Sequence, residues 1–134
     1  MTKLIDIEGI GEAYAGKLKD VGLATVEDLL ERCSTPAGRQ EIADSIGITS
    51  RRILEWVNHA DLFRVKGIGS EYSDLLEEAG VDTVPELAQR NADNLYARLS
   101  EVNAEKQLVR HLPSLNQVSA WIEQARSLPR TIEY

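Results

Sequence analysis

The chain has 134 residues, 43% of them hydrophobic, and a net charge of −7 from 15 basic and 22 acidic side chains. That length buries a core without staples, and that apolar content excludes a disordered chain. One cysteine, Cys33, excludes an intramolecular disulfide and a cysteine-based zinc site, and no apolar run approaches the roughly 18 residues of a membrane span.

The apolar residues recur at helical spacing and strand signals are nearly absent. Gly11 opens a helix with Tyr14, Ala15, Leu18 and Val21 on one face, and Gly22 ends it. Thr25 caps the next helix, which turns Val26, Leu29 and Leu30 inward, with Asp28 close to a capping-box position. Thr35 and Pro36 read as N-cap and first residue of a third helix carrying Ile42, Ala43 and Ile46, closed by Gly47. Thr49 caps a fourth, with Ile53, Trp56, Val57 and Ala60 on one side. Ser70 then caps a helix bearing Tyr72, Leu75, Leu76 and Ala79, closed by Gly80. Thr83 with Glu86 forms a capping box. Asn91 caps a helix with Leu95, Ala97 and Leu99, and Asn103 caps another with Leu108, Val109 and Leu112 that Pro113 breaks. Ser114 with Gln117 is a further capping box, leading into Leu115, Val118, Trp121, Ile122 and Ala125. The tail "SLPRTIEY" reads as frayed.

The plan occurs twice. Gly9, Ile10, Gly11, Tyr14, Leu18, Gly22, Thr25 and Val26 recur 58 positions on as Gly67, Ile68, Gly69, Tyr72, Leu76, Gly80, Thr83 and Val84. Trp56 and Trp121 end corresponding helices at an offset of 65, so the second half has gained seven residues, around "HLPSLNQV". One supersecondary unit is used twice, over residues 1–60 and 61–134. No Pro/Gly/Ser-rich linker separates the halves, which predicts that they pack as one compact unit.

A Gly-Ile-Gly turn between helices has a physical reading. The first glycine permits a tight turn, the isoleucine pins it to the core, and the second starts a helix with uncovered amides. Such amides attract anions, phosphate above all. The pattern Ile7, Gly9, Ile10, Gly11, Ala15, Leu18, repeated as Val65, Gly67, Ile68, Gly69, Ser73, Leu76, resembles the helix-hairpin-helix motif of DNA repair and recombination proteins. The resemblance implies an all-α fold of tandem helix-hairpin-helix repeats in the SAM-like class, with about eight to ten short helices. It also implies sequence-independent binding of duplex DNA with hairpin amides on phosphates, and no cofactor beyond the monovalent cation that such hairpins often bind. Weaker echoes follow in "IGITSRRIL" and "EVNAEKQLV". The "GIG" units, the tryptophan-ended helices and "LPS" make nearly the whole chain similar to a bacterial family of domains of unknown function with this layout.

The two turns differ in charge. Glu8 and Glu12 flank the first, where carboxylates repel phosphate; Lys66 and Ser70 flank the second, which makes it the better candidate. The predicted nucleic-acid contacts are Lys66, Gly67, Ile68, Gly69 and Ser70, with Gly9, Ile10 and Gly11, helped by Arg51, Arg52, Lys106 and Arg110. The bland alternative is a structural hairpin with those cations on a solvated face, as Lys17 and Lys19 are expected to be. Both halves are acidic, with 7 basic against 10 acidic groups in the first 60 residues and 8 against 12 in the rest. That balance keeps open a second reading, a protein-interaction scaffold with structural hairpins only.

Nothing points to an enzyme or a small-molecule substrate. The tripeptide "VDT" at Val81–Thr83 looks like the catalytic-aspartate segment of hairpin-containing DNA glycosylases, but there the Asp lies beyond a further helix. Here Asp82 is 13 residues after Gly69, with no lysine nucleophile in context. His59 and His111 stand alone, in surface or capping roles, and no metal set appears. Tyr14, Tyr72, Trp56 and Trp121 sit at core spacing. A lone cysteine and a leaderless "MTKLIDIEGIG" suit a reducing, cytoplasmic setting.

Overall fold

A computed structural model describes residues 2–134. Among them are eight α-helices, one 3-10 turn at Leu4–Asp6, and no strand beyond an isolated bridge between Lys3 and Thr25. The all-α expectation holds. No helix is long and apolar enough to cross a membrane. The chain forms two compact units. One runs through Asp61 and takes in Thr131–Tyr134, and the other is Leu62–Arg130.

The first unit holds α1 (Glu12–Asp20), α2 (Val26–Arg32), α3 (Pro36–Ile46) and most of α4 (Ser50–Leu62). Its core is Leu18, Leu29, Ile42, Ile53, Trp56 and Val57, all at most 2% exposed. Burying one such side chain stabilises the unit by about 1.5–3 kcal/mol. Helix α2 starts at a true capping box. The Thr25 hydroxyl accepts from the Asp28 amide, and the Asp28 carboxylate accepts from the amides of Ala24 and Thr25. Helix α3 starts at Thr35 with Pro36 in its first turn and ends at Gly47, whose φ of 76° is left-handed.

The second unit holds α5 (Ser70–Glu78), α6 (Val84–Ala88), α7 (Ala92–Lys106) and α8 (Leu115–Ser127). Helices α6 and α7 pack on α8, and α5 packs on α7. Leu75, Leu76, Leu87, Leu95, Leu99, Val118 and Trp121 fill the space between.

Several local expectations fail here for physical reasons. Asn103 caps nothing: α7 runs through it without a break. Its side chain instead reaches past the helix end, accepting from the Val109 amide and donating to the Val109 carbonyl. Gln107 stops α7 in the left-handed region at φ 50°, so residues 107–114 are a loop and the predicted helix through Leu112 is absent. The hairpin echo "EVNAEKQLV" is therefore no hairpin. Ser70 is the first residue of α5 and Gly69 its cap. The Thr83 box is open, because Glu86 accepts from Asp82 rather than from Thr83. Ala97 and Leu115 face solvent, and His59 is buried.

The tail is not frayed. Ile132 is 2% exposed, and the Glu133 amide donates to the Ser34 carbonyl at 2.7 Å. Arg39, 5% exposed, donates to the carbonyls of Cys33, Ser34 and Glu133. Next to it, burial pushes the Cys33 thiol up from 9.0 to about 11, against the pull of Arg32 and Arg39. The unfolded chain therefore loses this proton first as pH rises. Stability from the neutral thiol is complete below pH 9 and falls between pH 9 and about 11. Denaturation midpoints from pH 8 to 11 should drop more steeply for the wild type than for Cys33→Ala. An equal slope for both would show that the thiol does not titrate with folding.

Candidate functional site

The two Gly-Ile-Gly turns have the same build. In the first unit Gly9 takes φ 92°, the Ile10 amide donates to the Ile7 carbonyl at 3.1 Å, and Ile10 is 3% exposed. In the second, Gly67 takes φ 95°, the Ile68 amide donates to the Val65 carbonyl at 3.2 Å, and Ile68 is 5% exposed. A tryptophan closes each turn from inside. A Cβ on Gly9 would lie 3.2 Å from Trp56 Nε1, and one on Gly67 3.0 Å from Trp121 Nε1. Tyr14 packs on Trp56 with centroids 5.3 Å apart, and Tyr72 on Trp121 at 5.2 Å, both tilted.

The second glycine of each turn is a different case. Gly11 and Gly69 cap α1 and α5 with extended backbone, φ −89° and −108°, and nothing lies within 4 Å of a Cβ added there. Neither left-handed geometry nor close packing demands glycine at these positions. No side chain caps either helix. Each of the other six begins at a side-chain cap: Thr25, Thr35, Thr49, Thr83, Asn91 and Ser114. The first turns of α1 and α5 thus present their amides without a side-chain oxygen over them.

The charged residues divide unevenly between the turns. Glu8 and Glu12 are exposed beside the first. Arg52 is drawn to that turn's aromatic pair, its guanidinium 5.1 Å from the Tyr14 centroid and 6.0 Å from that of Trp56. Lys17, exposed as expected, lies 5.8 Å over the same Tyr14 ring. Arg51 is exposed one residue earlier. At the offset of 65 the counterpart of Arg52 is Gln117, spent on capping α8.

In the second unit Lys66 is exposed, and the Gln124 side chain holds its backbone, accepting from the amide at 3.0 Å and donating to the carbonyl at 3.3 Å. Nothing in the sequence announced Gln124, whose counterpart in the first half is His59. Arg110 is exposed and lines a groove of about 440 Å³ with Glu71, Asn103 and Gln107, beside the first turn of α5. The Tyr72 hydroxyl donates to the His111 carbonyl there. Lys106 is not at the turn. It pairs with Glu78 at 2.6 Å, in the last turn of α5, about 13 Å along the helix from its start. Its hydrogen bond to Glu78, and then the charge of Glu78, raise its pKa. The second turn therefore gathers Lys66, Ser70 and Arg110 with the carboxylate of Glu71, and the first gathers Arg52, without Lys106 at either.

Among the described residues no cluster of His, Cys, Asp or Glu is arranged to hold a metal ion. No curated protein and no solved structure matches the chain significantly. One family model matches residues 8–128, and on that match the chain belongs to the family described as Domain of unknown function (DUF4332).

Proposed function

We propose that the chain is a non-enzymatic module that grips the backbone of duplex DNA, using its Gly-Ile-Gly turns as helix-hairpin-helix contacts. The turn at Gly67–Gly69 is the principal contact. One observation carries this reading: among the described residues, the only two α-helices without a side-chain cap are the two that follow the paired glycines. A phosphate oxygen is the acceptor those amides suit, and the helix dipole favours its charge. Lys66 and Arg110 supply positive charge at the second turn and Arg52 at the first. Backbone contacts of this kind position a duplex without reading its bases. A protein-interaction scaffold is the second reading, favoured by exposed Glu8 and Glu12 at the first turn.

Gly69→Asp separates the two. The carboxylate would cap α5 in the place a phosphate would take. Stability should hold or rise by a few tenths of a kcal/mol, as an acidic N-cap replaces glycine. Binding of a labelled duplex, followed by fluorescence anisotropy, should be lost in the variant. With about two to four phosphates engaged, wild-type affinity should fall about ten- to hundredfold between about 50 and 200 mM salt. No wild-type binding at the lower salt would reject the DNA reading in favour of a protein partner.

A further inference from the structure

The segment Thr131–Tyr134 has no regular secondary structure, yet the first unit buries Ile132 and holds the main chain of Glu133, while Tyr134 stays 58% exposed. Both main-chain groups of Glu133 are engaged. Its amide donates to the Ser34 carbonyl at 2.7 Å, and its carbonyl accepts from Arg39 Nη2 at 2.8 Å. On either side the flanking side chains are engaged as well. Ile132 is 2% exposed, and the Tyr134 hydroxyl donates to Asn58 Oδ1 at 3.2 Å. Arg39 is part of the unit and not a passing surface contact. It is 5% exposed and is fixed by the carbonyls of Cys33 and Ser34 at 3.1 and 3.2 Å. Gripping the main chain of one residue and the side chains on both sides of it is how a protein recognises an extended peptide.

We infer that this groove is a peptide-binding site for an apolar-x-Tyr segment, and that its partner in trans is the same segment of a second copy of the chain. The link that leads into it, Leu128–Arg130, is non-helical and contains Pro129, whose carbonyl accepts from Arg64 in the second unit at 2.7 Å. Exchange of the tail between two copies would keep the groove contacts of Ile132, Glu133 and Tyr134. In one chain the tail competes for its own groove at an effective concentration on the order of millimolar. The closed monomer therefore dominates in dilute solution, and exchange grows with concentration.

The test uses the full chain carrying Ile132→Asp, whose tail cannot bury a carboxylate in the groove. A labelled peptide of residues 128–134 should bind it saturably in anisotropy. The wild type at the same concentration should not bind, because its own tail is seated. A peptide with Asp in place of its isoleucine should bind at least about tenfold more weakly. Absence of peptide binding to an Ile132→Asp chain that keeps its helical circular dichroism overturns the proposal. If that variant loses its helical signal, the wild type decides. Refolded from guanidinium at about 1 mM, it should give a dimer by light scattering that returns to monomer when refolded dilute. Monomer alone at the high concentration overturns the proposal.

Discussion

Trp121→Ala is expected to lower the stability of the second unit by about 3–5 kcal/mol, and Trp56→Ala to do the same to the first. Both indoles are 2% exposed. Truncation removes a large packed surface and leaves a cavity that the surrounding helices fill only in part. It also removes the ring against which Tyr72 or Tyr14 tilts and the cover behind the left-handed glycine. Small domains have about 5–15 kcal/mol in hand, so the loss would be a large part of the total. Urea unfolding followed by circular dichroism measures it without relying on the deleted fluorophore. A loss below about 1 kcal/mol would show that the indole is not part of the core it appears in.

The second large effect is expected at the first glycine of each turn. Gly67→Ala should destabilise by about 2–3 kcal/mol. About 1–2 of that comes from forcing an L-residue to φ 95°, and the rest from displacing an indole nitrogen 3.0 Å from the new methyl. Gly9→Ala should follow closely, with its contact at 3.2 Å. Gly22→Ala provides the control. It has the same left-handed backbone, φ 93°, with nothing within 4 Å of the new Cβ, so it should lose the backbone part alone. Denaturation midpoints for the three variants would isolate the indole contact. Equal losses at Gly67 and Gly22 would show that the tryptophan yields freely.

Much of the fold was legible because capping is local chemistry. Thr25, Thr35, Asn91 and Ser114 each needed only their own side chain and the next three residues, and each caps the helix expected of it. Asn103 failed because the same chemistry serves two outcomes. An amide side chain that can cap a helix start can equally tie down a loop beyond a helix end, and Val109 decides between them. The tail was misread because its anchor is 94 positions away, and a buried arginine facing carbonyls has no periodic signal. At the candidate site the glycines, Lys66 and Ser70 were readable from the repeat. The division of labour between a first glycine that turns the chain and a second that opens a helix was readable too. The attraction of Lys106 to Glu78 was not, because it depends on how α5 and α7 lie together.

The tie between Arg39 and Glu133 also bears on how the chain is made. A ribosome adds about 5–20 residues per second, so Arg39 is incorporated roughly 5–20 s before its partner carbonyl exists. The whole of Leu62–Arg130 is synthesised in that interval. Of the two units, the N-terminal one is thus begun before the other and completed after it. A chain cut short before Glu133 would keep the bonds of Arg39 to the Cys33 and Ser34 carbonyls but lack the third, and its groove would stand open.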